Sequence, residues 1–176
     1  MALVTEDGTG RADAESYCSV AFADTYHDAR GRAATWTALQ LDVKERCLRL
    51  ATDYMLQAYR EAWAGQRATF DQALDWPRAW VPKKDAPSGY ASHAAYYASD
   101  AVPVEVQKAC AELAFKAATG TDLAPDIGPQ VTSKTVGPIS VTYAAGARQQ
   151  VVYQAVGGLL APLLAHSGSQ IRVVRS

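Results

Sequence analysis

Between Asp42 and Ala62 apolar residues return at steps of three and four: Cys47, Leu48, Ala51, Tyr54, Met55, Ala58 and Ala62. That spacing places them on one face of a helix, while Lys44, Arg49, Gln57 and Arg60 fall mostly elsewhere. Asp42 followed by Glu45 has the spacing of a capping box, which sets the expected start of the helix. A helix of this length with one apolar face must bury it against a second helix or a sheet.

The best partner lies after Pro103, a residue suited to a first helical turn. Val106, Ala109, Cys110, Leu113 and Ala117 form its apolar stripe, and Gly120 suits its C-terminal cap. An earlier helix is expected from an N-cap at Asp13 through Tyr17, Val20, Ala21, Asp24 and Tyr26 to about Arg30, followed by a connector with Trp36 and Leu39. A last one is expected over Val151 to His166, weakened by Gly157, Gly158 and Pro162. From Val131 to Tyr143 the period changes to two, with β-branched residues around Gly137 and Pro138, which predicts a hairpin.

Gly65 to Asp100 keeps no sustained period and is rich in Pro, Gly, Ser, Tyr and Trp. It predicts a short helical piece over Thr69 to Leu74 and then a long ordered loop over 76–100. Within it, "DQALDWPR" sets a Trp-Pro-Arg corner at Trp76, Pro77 and Arg78. Proline pushes its predecessor out of the helical region, so the corner is expected to end the short helix, with Leu74 and Trp76 buried and Arg78 free to pair or cap. The fold class is therefore mainly α: a compact helical bundle with a long ordered loop, a small β-hairpin over 131–144 and an extended C-terminal tail. An N-terminal arm is expected over 1–12, a single helical domain over 13–166 and a tail over 167–176 behind the hinge Ser167-Gly168-Ser169. With 176 residues, 49% of them hydrophobic, the chain can bury one core and does not need two.

Chemistry is sparse. Cys18, Cys47 and Cys110 are odd in number and set in helical pattern, which predicts buried reduced thiols. His27, His93 and His166 have no second ligand at metal spacing and are expected at the surface or in loops, so no metal and no cofactor are expected. The Gly-x-Gly of "EDGTG", Glu6 to Gly10, follows no strand and lacks the lysine of a phosphate loop; a flexible arm is the expectation. Asp24 and Asp28, one turn apart, are expected on a solvated face. No nucleophile elbow is present, and the chain is not expected to be an enzyme.

The net charge is −1, from 17 Lys and Arg against 18 Asp and Glu, which gives no global field toward nucleic acid or an anionic membrane. Lys83-Lys84 and Arg30 with Arg32 lie near Trp36, Trp80, Tyr90, Tyr96 and Tyr97, the ingredients of a single-strand platform. Asp71, Asp75, Asp85 and Asp100 stand in the same region and oppose phosphate, and loop aromatics more often fill protein interfaces. No signal-peptide pattern opens the chain, and no apolar run has the length of a membrane span, so a soluble protein assembled in the cytoplasm is expected.

Several stretches together carry a resemblance: "VTEDGTGRADAESYCSVAFADTYHDARG", "ERCLRLATDYMLQAYR", "QALDWPRAWV", "VPVEVQKACAELAFKA" and "SKTVGPISVTYA". In order and spacing the chain resembles phage-encoded DnaT-like single-stranded-DNA-binding proteins, which are in turn similar to head-tail connector, or adaptor, proteins of tailed phages. Lys134, Gly137, Ser140, Val141 and Tyr143 resemble the K-x-G-x-x-S-V-x-Y pattern of adaptors, with one more residue between Lys134 and Gly137. The Tyr-rich insertion "SGYASHAAYYASD" departs from that family by its length.

The adaptor resemblance implies a virion structural protein at the head-tail interface. Its ring of identical subunits, of expected twelvefold symmetry, would bind the portal protein and a next neck or tail-completion protein and pass double-stranded DNA with weak contact only. It implies subunit contacts through the hairpin, at Lys134, Val136, Ile139, Val141 and Tyr143, and through the loop aromatics Trp80, Tyr96 and Tyr97. It also implies portal docking by the tail "QIRVVRS", through Gln170, Ile171, Arg172, Val173, Val174 and Arg175, as an added strand. The DnaT-like resemblance implies the alternative, a single-stranded-DNA-binding protein acting in replication.

Overall fold

The two stripes read from the sequence do meet. In a computed structural model that describes residues 2–86, 95–125, 131–135, 140–143 and 151–165, the helix Leu41–Tyr59 (α3) packs on Val104–Ala118 (α4). Their seam contains Leu48, Ala51 and Met55 from α3 and Val106, Ala109, Cys110, Leu113 and Ala114 from α4, all fully buried. Alanines at Ala51, Ala109 and Ala114 keep the two backbones close, and the larger side chains interdigitate between them.

Before this pair come Val20–Asp28 (α1) and the single turn Ala33–Trp36 (α2); after it come Gln154–Leu160 (α5) and a 3-10 turn, Ala161–Leu163. α1 and α5 both lie on α4, so α4 is the centre of the bundle. Two small antiparallel pairs complete the described elements: Gln66–Arg67 (β1) with Arg78–Ala79 (β2), and Val131–Thr135 (β3) with Ser140–Tyr143 (β4). The second is the expected hairpin, in register Lys134 with Val141 and Thr135 with Ser140, and irregular between Val131 and Ser133. The mainly helical class and the hairpin are thus as read from the sequence.

Several boundaries are not. Helix α1 begins at Val20, with Ser19 as N-cap accepting from the Phe22 amide at 3.1 Å, and it ends at Asp28. Asp13 does not cap it, because its carboxylate is held by the Arg11 guanidinium at 2.9 Å. The capping box at Asp42 and Glu45 does not form either. Gln40 is the N-cap, and the Glu45 carboxylate accepts the Leu3 amide at 3.2 Å. Asp42 still sits in the first turn, where its charge favours the helix dipole. The stripe of α3 drifts at its end: Ala58 is exposed, and Trp63 beyond the helix is buried in its place.

No helix forms over Thr69 to Leu74, and the last expected helix is cut to Gln154–Leu160. Residues after it return along the body, where Ala165 N donates to Ala62 O at 2.8 Å and Ala64 N to Leu163 O at 3.0 Å. The N-terminal leader is packed rather than extended as a flexible arm. Thr5 bridges Ser16, Ala73 N donates to Arg11 O, and the buried Glu6 carboxylate accepts the amides of Gly8, Gly10 and Arg11, each at 2.9 Å. Gly8 has φ +102°, and a Cβ there would lie 2.1 Å from Asp100 O, so only glycine fits this approach. The Gly-x-Gly stretch therefore cradles the chain's own carboxylate.

Candidate interaction surface

The Trp-Pro-Arg corner is built by polar side chains that replace a helix as partners of the backbone. Gln72 is 2% exposed; its Oε1 accepts Thr69 N at 2.9 Å, and its Nε2 donates to Leu74 O at 2.8 Å and Pro77 O at 3.1 Å. Arg67 donates to the carbonyls of Gln72 and Leu74. Arg78, expected to pair or cap, does so from a buried position, donating to Ala64 O at 2.8 Å, Gly65 O at 2.9 Å and Asp75 O at 3.2 Å. Its burial lowers the guanidinium's proton affinity, so the three carbonyls must compensate for lost water. Beneath them Leu74 and Trp76 are buried as expected, with Trp76 edge-on to Trp63 at 5.7 Å. The amide of Asp75 donates to the buried hydroxyl of Tyr17 at 3.1 Å, which ties the corner to the N-terminal segment.

This locked corner presents aromatic side chains to solvent. Phe70, on the turn between β1 and Gln72, is 101% exposed. Trp80, directly after β2, is 62% exposed and has φ +62°, an uncommon left-handed conformation for a bulky residue. Left-handed backbone at a non-glycine residue costs about 1–2 kcal/mol and persists only where the surroundings enforce it. Here Val81 on its C-terminal side is fully buried, and Tyr97 N donates to Val81 O at 2.9 Å. The chain from Tyr96 pairs back on Pro82, bringing the Tyr96 ring edge-on to Trp80 at 5.8 Å and Lys83 Nζ to 5.8 Å above the Tyr97 ring. A cleft of about 600 Å³ lies between them, with Asp100 on its wall.

Three of the sequence-predicted contact residues, Trp80, Tyr96 and Tyr97, are thus brought together. Lys134, Val141 and Tyr143 lie on the hairpin strands, a separate part of the fold. Val136 and Ile139, the tail residues Gln170 to Arg175, the hinge, His93 and His166 lie outside the described residues. Phe70 was missed in the sequence because a single apolar residue in an aperiodic segment gives no sign of which way it faces.

The buried titratable groups serve the body. His27 is fully buried, contrary to the surface position expected: Nε2 lies 3.1 Å from Ala111 O, and its ring contacts Trp36 and Phe115. Burial lowers its pKa, which keeps the ring neutral. Asp24 does not sit on an idle solvated face; it accepts Trp36 Nε1 at 2.7 Å and pairs with the buried Lys44 at 2.9 Å. Burial acts to raise the Glu112 carboxyl, but hydrogen bonds from Arg32 at 2.8 Å and Tyr26 at 2.9 Å outweigh it and hold it below the usual range. Cys18, Cys47 and Cys110 are buried free thiols, as expected. No cluster of three or more His, Cys, Asp or Glu suited to a metal ion occurs among the described residues, and no helix there is long and apolar enough to cross a membrane.

Several exposed cations are engaged by the chain's own groups. Arg30 lies over the Tyr26 ring at 3.5 Å, Arg60 pairs with Asp75 at 3.2 Å, and Lys84 donates to Ala161 O at 2.6 Å. The surface around the corner therefore combines exposed aromatic area with cations that the chain itself engages, and with Lys83, which lies over the Tyr97 ring.

No curated protein and no solved structure matches the chain. A family model does, over residues 1–176, under the description "Putative DnaT-like ssDNA binding protein". The match spans the helical body, the aromatic corner and the hairpin alike, and the chain belongs to that family.

Proposed function

We propose that this chain is a structural subunit of a tailed bacteriophage, a head-tail connector that forms a ring on the portal protein and joins the DNA-filled head to the neck or tail. One observation carries the reading: aromatic side chains stand in solvent on a rigid corner, while Arg60, Arg67 and Arg78 of that corner are engaged by the chain's own carbonyls and a carboxylate. A ring subunit needs such rigid apolar contacts, and a channel that passes DNA gains nothing from a surface that grips it. The hairpin of β3 and β4 adds support, since an isolated hairpin is marginal in water and gains by pairing or packing with a neighbour. No catalytic residue, metal or cofactor enters this reading, and its location is the virion, after assembly in the host cytoplasm. The test is mass spectrometry of gradient-purified particles. The chain should be present in near-stoichiometric amount with the portal, and its absence there would end the proposal.

A second reading is favoured by the family's description: a single-stranded-DNA-binding protein of DnaT-like type. Its site would be the Trp80 and Tyr96 ledge with Lys83 beside it, where bases could stack and one cation meet a phosphate. Fluorescence anisotropy with a labelled single-stranded oligonucleotide separates the two. The connector reading expects weak binding with no strand preference; submicromolar affinity with a steep salt dependence would establish the second.

A further inference from the structure

Phe70 has no cover from its own chain, yet it is not on a loose end. The turn that bears it is pinned by Thr69 N to Gln72 Oε1 at 2.9 Å, by Ala68 N to Pro77 O at 3.1 Å and by Arg67 on two carbonyls. Arg60 and Arg67 border the cavity beside it. An aromatic ring held out in this way is a knob.

A hollow to match it lies along α3. Leu50, Asp53, Tyr54 and Gln57 line a depression of about 410 Å³ whose far wall is Ala117 and Leu123. Leu50 is 48% exposed, an apolar floor open to solvent. The rim is acidic, with Asp53 and Asp122. Asp53 has no hydrogen-bond or ion-pair partner among the described residues, and partial shielding from water raises its carboxyl. Knob and hollow share one side of the molecule: Leu50, Asp53 and Gln57 step by three and four along α3 to its C-cap Arg60, which borders the cavity beside Phe70, a span of about 15 Å. One end of that stripe is apolar and acidic, the other aromatic and basic.

A surface with complementary halves on one face fits a second copy of itself turned end for end. We propose that two copies of this chain pair about a two-fold axis near Gln57, each Phe70 entering the partner's hollow of Leu50, Tyr54 and Leu123, with Arg60 and Arg67 of each turning the guanidinium N–H groups not used within their own chain toward the other's Asp53 and Asp122. Such an isologous contact closes at two. It belongs to the free chain and does not rest on the connector reading, whose test is made on virions.

Sedimentation velocity on the full chain, from micromolar to millimolar concentration, tests it. A monomer-dimer equilibrium with no larger species is expected. Phe70→Glu and Leu50→Glu should each weaken the dimer at least about tenfold, since each sets a desolvated charge in an apolar contact. Leu41→Glu changes another exposed leucine, half a helical revolution from Leu50, and should leave the dimer intact. Circular dichroism checks that each variant is folded; Phe70, fully exposed, can be replaced without touching the core, so Phe70→Glu alone decides if Leu50→Glu unfolds. A chain that stays monomeric to millimolar concentration, one that grows beyond two copies, or a dimer indifferent to Phe70→Glu overturns the proposal.

Discussion

The seam between α3 and α4 and the corner from Gly65 to Val81, buried over Leu74 to Arg78, belong to one body, yet they satisfy buried backbone in opposite ways. In the seam the peptide groups of each helix interior are satisfied by their own helix, so side chains are free to be apolar and to pack. In the corner the two-residue strands β1 and β2 satisfy little, and Gln72, Arg67 and Arg78 spend their side chains on carbonyls and an amide. The seam is stabilised by burial of area, the corner by a few directed bonds. The consequence for function is that the corner can be rigid without being regular, which leaves Phe70 and Trp80 displayed instead of buried.

The comparison predicts different failures. The largest effect belongs to the seam: Leu48→Ala should cost roughly 3–5 kcal/mol, because a fully buried leucine leaves a cavity that helices on both sides cannot close. Urea unfolding should show a lower midpoint at unchanged slope. Arg78→Met should cost about 2–3 kcal/mol by leaving Ala64, Gly65 and Asp75 carbonyls without their donor. Hydrogen exchange should quicken around 64–81 ahead of α3 and α4; uniform quickening would show that the two regions unfold as one unit.

Trp80→Gly should act with the opposite sign, raising stability by about 1 kcal/mol through relief of the left-handed backbone at φ +62°. In the connector reading the same change should reduce particle incorporation, so stability and assembly would part company at one residue. The smallest effect is a pH dependence from α1. Burial lowers the pKa of His27 beneath its ordinary 6.5, so the unfolded chain binds this proton first. Its contribution to stability is complete above pH 6.5 and declines as pH falls below it, toward the folded-state value. Glu112, which faces the ring across Tyr26 and Arg32, is also held low; its contribution is lost at more acidic pH, below the ordinary glutamate value of 4.5. Thermal melts between neutral pH and pH 5 should show a decline that His27→Gln flattens.

The apolar periods of α3 and α4, the Pro103 start, the Gly120 stop and the alternation in β3 and β4 were legible in the residues themselves. Such patterns are local, repeating over a few positions, and the burial of one face follows from them wherever the partner lies. Legible too were the buried thiols and the burial of Leu74 and Trp76, from residue type and setting alone. What tertiary structure decided was every polar choice. Lys44 is buried because Asp24 of another helix awaits it; Glu45 abandons its cap for Leu3; His27 goes inside because α4 offers a carbonyl; and Gln72 replaces a helix that its neighbours would otherwise have formed. An apolar side chain needs only to leave water, which a periodic sequence can specify. A buried polar one needs a particular partner at about 3 Å in a particular direction, and for Lys44, Glu45 and His27 that partner lies tens of residues away along the chain, while for Gln72 it lies within five residues but only in a non-helical backbone.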